Sequence, residues 1–463
     1  MLRELIFRDL LDYVKSLRFM LSFLIVVGAF ILSGILFVGK YKLAVVDYRE
    51  NETRNLKALE ESSKGLDQVA MYGQRLINPP PVFGFTCTGF DDHLPNALYV
   101  NAFSVGTMDN LSRSNFLFPK FNELDWVFII GILLSFVALA LTFDGISREK
   151  EDGTLRLVMT NAFPRYQFIL AKYVGALLVL TIPATIGILL NLIIVILSGV
   201  VMLTAEHWIQ IGFIYILSTV YLSAYVLFGL LISILIHRSA PSLALCLVLW
   251  VVTVLFIPNT GGLLSQAFHP LPPKKEFEEK IDLARSQVWD HYPKEAQSFI
   301  GIDRYRPAHR WRAAAQSEQL EVEVKLREAY FNEQIQQVEW GQRWTRISPA
   351  AVYQYAAESL ADVGISRFFN FRRQVKNYGE QLMDFVRKKD ALDPESPHWI
   401  NPFNGILFST NPVKYTEIPK FNYKPRKIEE LLRESLMDIF LLMMVNFFLF
   451  TISVASFLRF DVR

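Results

Sequence analysis

Nucleotide chemistry is the first possibility that residue types and spacing raise in this chain. Gly34, Gly39 and Lys40 stand in the order of a phosphate-binding loop, in which backbone N–H groups cradle phosphates and the lysine neutralises them. The next position should carry a hydroxyl for magnesium, as Ser or Thr, but is Tyr41. The stretch also closes an apolar run instead of joining a strand to a helix. No second GxxxxGK[ST] pattern and no LSGGQ-like signature occur, so ATP hydrolysis by this chain is not expected. Metal and acid–base chemistry find no better footing. His93, His207, His237, His269, His291, His309 and His398 form no ligand-spaced pair. Cys87 and Cys246 are too few for a cluster, and the second lies in an apolar run. No Ser/His/Asp set is recognisable from spacing, because triads are defined by geometry. The expectation is a chain with no catalytic set and no metal site.

Recognition chemistry concentrates instead in Asp144–Lys172, DGISREKEDGTLRLVMTNAFPRYQFILAK. Arg148, Lys150, Arg156, Arg165 and Lys172 place this short amphipathic stretch on the cytoplasmic side of a membrane, because basic residues beside a span rarely cross it. Gly153-Thr154 ends the charged run that holds Glu149, Glu151 and Asp152. Thr154 is then an N-cap for a short helix with Leu155, Val158 and Met159 on one side, and Pro164 closes it.

The elements around this stretch are membrane spans. Hydrophobic residues make up 52% of the 463 and charged ones 20%, which fits a mixture of spans and sizeable polar segments. The 37 phenylalanines suit lipid-facing surfaces, and a net charge of +2 gives no reason to propose nucleic acid as a partner. Met1–Arg18 carries Leu2, Leu5, Ile6, Leu10, Val14 and Leu17 at helical spacing and predicts an interfacial helix. The first span is expected over 19–41. A polar segment follows over 42–125, helix-like through Leu76 and then, past Pro79-Pro80-Pro81, short strands and loops. Trp126–Phe143 predicts the second span, with Trp126 and Trp208 as interfacial anchors. Phe168–Leu203 predicts a long third span with Pro183 inside it and a re-entrant end near Gly199. Ile209–Ile236 and Pro241–Ile257 are the fourth and fifth spans. Residues 259–430 then leave the membrane for roughly 170 residues, enough for a domain. Helices are expected there over Lys274–Trp289, Pro307–Trp344, from Ser348-Pro349 to Leu360 and Ile365–Lys389, with an irregular return from Asp390. Leu436–Leu458 is the sixth span, within 431–463. Arg3, Arg8, Lys15, Arg18, Arg238, Arg459 and Arg463 all fall on one side, which places both termini in the cytoplasm.

The ordered string Arg148-Glu149-x-Glu151-x-Gly153-Thr154-Leu155-Arg156, between the second and third of six spans, resembles the cytoplasmic segment of ABC-2-type permeases. More loosely, Ile347-Ser-Pro-Ala-Ala-Val-Tyr, Glu358-Ser-Leu-Ala and Phe368-Phe-Asn-Phe-Arg-Arg resemble those members with a large extracytoplasmic insertion between the fifth and sixth spans. The resemblance implies a mainly α membrane protein with six transmembrane helices and two extracytoplasmic segments, the second a largely helical domain. It implies a coupling helix within 144–166 that docks on separate ABC ATPase subunits, which bind the ATP and magnesium, and a second permease, identical or paralogous. Glu149 and Arg156 would pair with charges on the ATPase, Gly153 and Thr154 would shape the turn, and Leu155 would enter a groove. A bacterial inner membrane is the implied location, where the glycosylation patterns at Asn51 and Asn110 carry little weight.

For a substrate path, Asn191, Thr181 and Thr185 are the polar candidates on the third span, although such residues more often bond to helices. No acidic or basic residue lies near the middle of a span, so transport driven from outside the membrane fits better than a proton-coupled carrier. Two functions follow: an ATP-driven exporter, or a mechanotransmitter that relays ATPase strokes to a periplasmic partner.

Overall fold

Among the described residues, six helices are long and apolar enough to cross a bilayer. The computed structural model describes residues 2–89, 94–106, 124–159, 164–297, 307–403 and 407–459. Helix α1, Leu2–Val14, lies along the start of the third span, and Ser16 then caps α2 by accepting from the Phe19 N–H at 3.2 Å. Helix α2 runs unbroken over Leu17–Ser62, 46 residues, or about 69 Å at 1.5 Å per residue. The division expected near Tyr41, between span and polar segment, does not interrupt the helix. No proline stands between, so hydrogen bonding continues while composition changes from apolar to charged, and the turn comes at Ser63–Gly65. After α3, Leu66–Met71, the expected helical end at Leu76 is instead strand β1, Gln74–Ile77. It pairs antiparallel with β2, Ala97–Val100, which pairs with β3, Val105–Gly106. His93 and the Asn110 pattern lie outside the described residues. Asn51 is buried and donates to the Arg75 carbonyl at 2.7 Å.

The second span comprises α4, Trp126–Phe128, a π-helical stretch Ile129–Leu134, and α5, Ser135–Thr142. Two short helices follow, α6, Ser147–Glu151, and α7, Thr154–Met159. Helix α8, Arg165–Leu197, passes through Pro183, and Gly199 just beyond it, with φ of +64°, closes the helix. Helix α9, Ala205–Leu235, opens on a reciprocal cap between Thr204 and His207. The fifth span is α10, Ser239–Trp250, a π-helical stretch Val251–Phe256, and α11, Ile257–Phe268. It continues past Pro258, where the sequence reading ended it. Two carbonyls just before the proline find side-chain donors: Ser348 Oγ bonds the Thr253 carbonyl, and Asn259 Nδ2 bonds the Leu255 carbonyl at 2.6 Å.

Helices α12, Lys274–Asp290, α13, Pro307–Thr345, α14, Pro349–Leu360, and α15, Gly364–Asp390, follow, and α16, Ile428–Arg459, is the last span. Phe371, Val375 and Tyr378 of α15 pack on Leu76, Leu98 and Val100, while Leu382 and Val386 meet Leu59, Leu66 and Phe408. This joins the charged half of α2, the small sheet and α15 into one polar-end body.

Helix α14 does not belong to that body. Its apolar residues Val352, Tyr353, Ala356, Ala357 and Leu360 sit in the core of the span bundle, between α9 and α16. The Tyr353 ring stacks on Tyr221 of α9, with centroids 4.4 Å apart, and its hydroxyl meets Ser218 Oγ at 3.0 Å. Arg346 at its start pairs with Asp438 of α16, Nε to Oδ1 at 2.6 Å. Trp126, expected at an interface, is fully buried: its indole N–H donates to Asn191 at 3.1 Å. Truncation at Tyr353 removes a large buried ring. Tyr353→Ala is expected to cost about 3–5 kcal/mol and Tyr353→Phe about 1 kcal/mol, measured by thermal unfolding in detergent.

Candidate functional site: a charged hub between the spans

A helix as short as α6 cannot hold itself together in isolation, because nucleation leaves its backbone groups largely unpaired. Its neighbours supply the partners. At its N-terminal end Ser233 Oγ of α9 accepts from the N–H groups of Ile146 and Ser147, at 2.9 and 2.8 Å. Lys150 Nζ then donates to the carbonyls of Ser233 and Ile234, which belong to the last turn of α9. Glu151 Oε2 accepts from the N–H and hydroxyl of Ser239 at 3.1 and 2.9 Å, a carboxylate placed at the N-terminus of α10.

Glu149 makes the contact that reaches furthest. Its Oε1 lies 2.8 Å from Lys172 Nζ on α8, and the same ammonium lies 3.4 Å from Asp9 Oδ1 on α1. All three side chains are largely buried, with 18% of Glu149, 10% of Lys172 and 4% of Asp9 exposed. Burial also pushes the nearby Tyr13 hydroxyl up to about 12, so it stays neutral beside this cluster. Arg18 of α2 adds a further link, donating to Asp144 Oδ2 at 2.9 Å. Three consecutive side chains, Glu149, Lys150 and Glu151, thus tie α6 to α8, α9 and α10, and through Lys172 to α1.

The residues expected to meet a partner divide into two groups. Glu149 turns inward, as described. Leu155 is buried among Ile146, Phe168, Ile169, Ile234 and Phe457, where it fastens α7 to α8, α9 and α16. Gly153 is exposed with φ +71°, a left-handed turn that admits glycine without strain. Thr154 is exposed and starts α7. Its hydroxyl donates back to the Glu149 carbonyl at 3.3 Å. Arg156 lies in α7, and its side chain is outside the described atoms. Sequence reasoning missed Leu157, which is 70% exposed on the same short helix, and Arg148, 71% exposed and paired with Asp152 at 3.7 Å. It also missed Asp9 as a partner of Lys172. The signal was present: a single lysine in an otherwise apolar run needs a carboxylate nearby.

On the third span the polar candidates are committed to different degrees. Asn191 is fully buried, accepting from Trp126 and donating to the Phe30 carbonyl at 2.9 Å, so it pins α2 and α4 to α8. Thr185 Oγ1 meets the Tyr215 hydroxyl at 2.8 Å, and Thr181 is half-buried, bonded to its own helix at the Leu178 carbonyl.

A bundle with six candidate spans among the described residues, organised at one end by a hub of short helices, defines a multi-pass membrane protein. The sequence matches the family described as ABC-2 family transporter protein over residues 4–462, and the chain belongs to that family. It is accordingly a membrane permease component of an ABC transporter and not itself the catalytic component. No curated protein matches the chain significantly.

Lys172→Met leaves two buried carboxylates without their cation. A loss of about 3–5 kcal/mol in thermal unfolding is expected, with most of it recovered when Asp9→Asn and Glu149→Gln are added.

Proposed function

We propose that this protein is the membrane-spanning subunit of an ATP-driven exporter in a bacterial inner membrane, with both termini in the cytoplasm. The observation that carries the reading is the hub: an exposed surface of Arg148, Asp152, Gly153, Thr154 and Leu157 rests on side chains bonded to several spans at once. A separate ABC ATPase subunit docks on that surface, with ATP and magnesium bound in the ATPase. Arg148 and Asp152 offer it charge, Leu157 offers it an apolar knob, and Arg156 belongs to the same short helix. Glu149 and Leu155 act one step behind, holding the docking face to the bundle. The orientation rests on Arg8, Arg18, Arg148, Lys150, Arg165, Lys172 and Arg238, all at the end where the hub lies. A second permease chain, identical or paralogous, completes the membrane part, surrounded by lipid. Thr181 and Thr185 are the third-span positions with access to a path along that chain. Asn191 acts on such a path by holding α8 in place.

Helix α14 supports a second reading, in which strokes of the ATPase pass through the spans to a periplasmic partner. Beyond the fifth span and among the described residues of the 259–430 segment, it is the helix seated in the bundle core, between α9 and α16. A structure of the ATP-bound pair distinguishes the two readings: a continuous cavity between the protomers' second and fifth spans means export, and a dry interface means relay.

Affinity purification in mild detergent tests the docking face. An ABC ATPase is expected to co-purify with the wild type, and Arg148→Glu with Leu157→Asp should reduce its recovery at least tenfold while thermal unfolding stays unchanged. Full recovery with the double variant overturns the assignment.

A further inference from the structure

A cavity of about 600 Å³ in the polar-end body lies between α13 and α15 and against the β2–β3 turn. That volume falls within the roughly 300–1,000 Å³ of small-molecule sites. Its wall is divided by chemistry. Phe331, Ile335, Phe369 and Met383 form an apolar surface, and five basic side chains outnumber three acidic ones around it.

Most of these cations are already engaged. Lys376 pairs with Glu328 at 2.6 Å, Arg327 with Glu323 at 3.0 Å, and Arg373 donates to Asn370 at 3.0 Å. Arg372 differs. Its guanidinium lies 3.5 Å over the Phe331 ring, and among the described residues it has no hydrogen-bond acceptor and no ion pair. It is half-buried, and burial pulls its pKa below the usual arginine value, with the field of Glu328 opposing. A guanidinium presents a planar fork of donors suited to carboxylate or phosphate, and here that fork has lost water without gaining an acceptor. Arg387, also on the wall, is exposed.

We propose that this cavity binds a single-chain anionic amphiphile, its carboxylate or phosphate head on Arg372 and its hydrocarbon chain along Phe331, Ile335, Phe369 and Met383. A purely anionic ligand would leave the apolar wall uncovered, and an uncharged lipid would leave the guanidinium unpaired. The site shares no residue with the hub and stands whether or not an ATPase docks there.

The test uses the full chain in nanodiscs of zwitterionic lipid and a diazirine-bearing lauric acid as probe, with labelled peptides located by mass spectrometry. Labelling is expected on α13 and α15, suppressed at least tenfold better by laurate or dodecyl phosphate than by dodecanol or inorganic phosphate. Stronger competition by laurate assigns a carboxylate head, and by dodecyl phosphate a phosphate head. Arg372→Gln should cut labelling at least tenfold, and Ile335→Trp, which fills the apolar wall and leaves the charge, should do the same. Equal competition by dodecanol, equal competition by inorganic phosphate, absence of label on these helices, or full labelling of both variants overturns the proposal.

Discussion

The Lys172 ammonium, held between the carboxylates of Glu149 and Asp9, is the contact on which the end of this bundle depends. A cation so far from water is tolerable only when paired, and its pairing leaves little choice of geometry. Asp9 brings α1 against α8, and Glu149 brings α6 against both. Once α6 is placed, Lys150 and Glu151 reach the facing ends of α9 and α10, where orphan carbonyls and N–H groups await partners. The exposed face of α7 therefore inherits its position from charge pairing several residues away. Leu155 adds an apolar anchor with the same effect.

The second span connects this hub to the opposite end. It begins where Asp125 accepts from the Phe128 N–H at 2.7 Å and from Thr88 at 2.9 Å, and it leads directly into the turn before α6. Near its start, the Gly131 carbonyl accepts from Tyr221 at 2.7 Å, and Tyr221 in turn stacks on Tyr353 of α14. Both π-helical stretches, Ile129–Leu134 and Val251–Phe256, contact α14. Irregular backbone among apolar helices persists only where side chains satisfy the displaced groups, and the hydroxyls of Tyr221 and Ser348 do so here. One continuous path of packed and hydrogen-bonded residues thus runs from α6 to α14.

The helices themselves were legible in the sequence, since apolar runs and the Ser348-Pro349 cap speak through local composition. Helix α14 spans the predicted residues, yet its location was not legible: an Ala- and Tyr-rich helix suits a water-facing domain or a bundle core equally well. The continuity of α2 was missed because a change from apolar to charged composition marks a change of surroundings and not a break in hydrogen bonding. Within 144–172 the residue types pointed to recognition, but not which ones face outward. On a helix of five residues, the inward side is decided by neighbours distant in sequence. Asp9 lies 163 positions from Lys172, and nothing local to α6 announces it. Trp126 illustrates the same limit, since its partners, Phe30, Phe85 and Asn191, come from elsewhere in the chain.

Amide hydrogen–deuterium exchange, compared between wild type and Lys172→Met in nanodiscs, tests most directly whether this charge pairing holds the hub together. Faster exchange in the variant is predicted across α6 and α7 and across α1 as well, because all three lose one shared anchor, while α15 and the β1–β2 pair stay protected. Unchanged exchange over α1, α6 and α7 in the variant would show that the hub stands without its buried lysine, and would contradict the account.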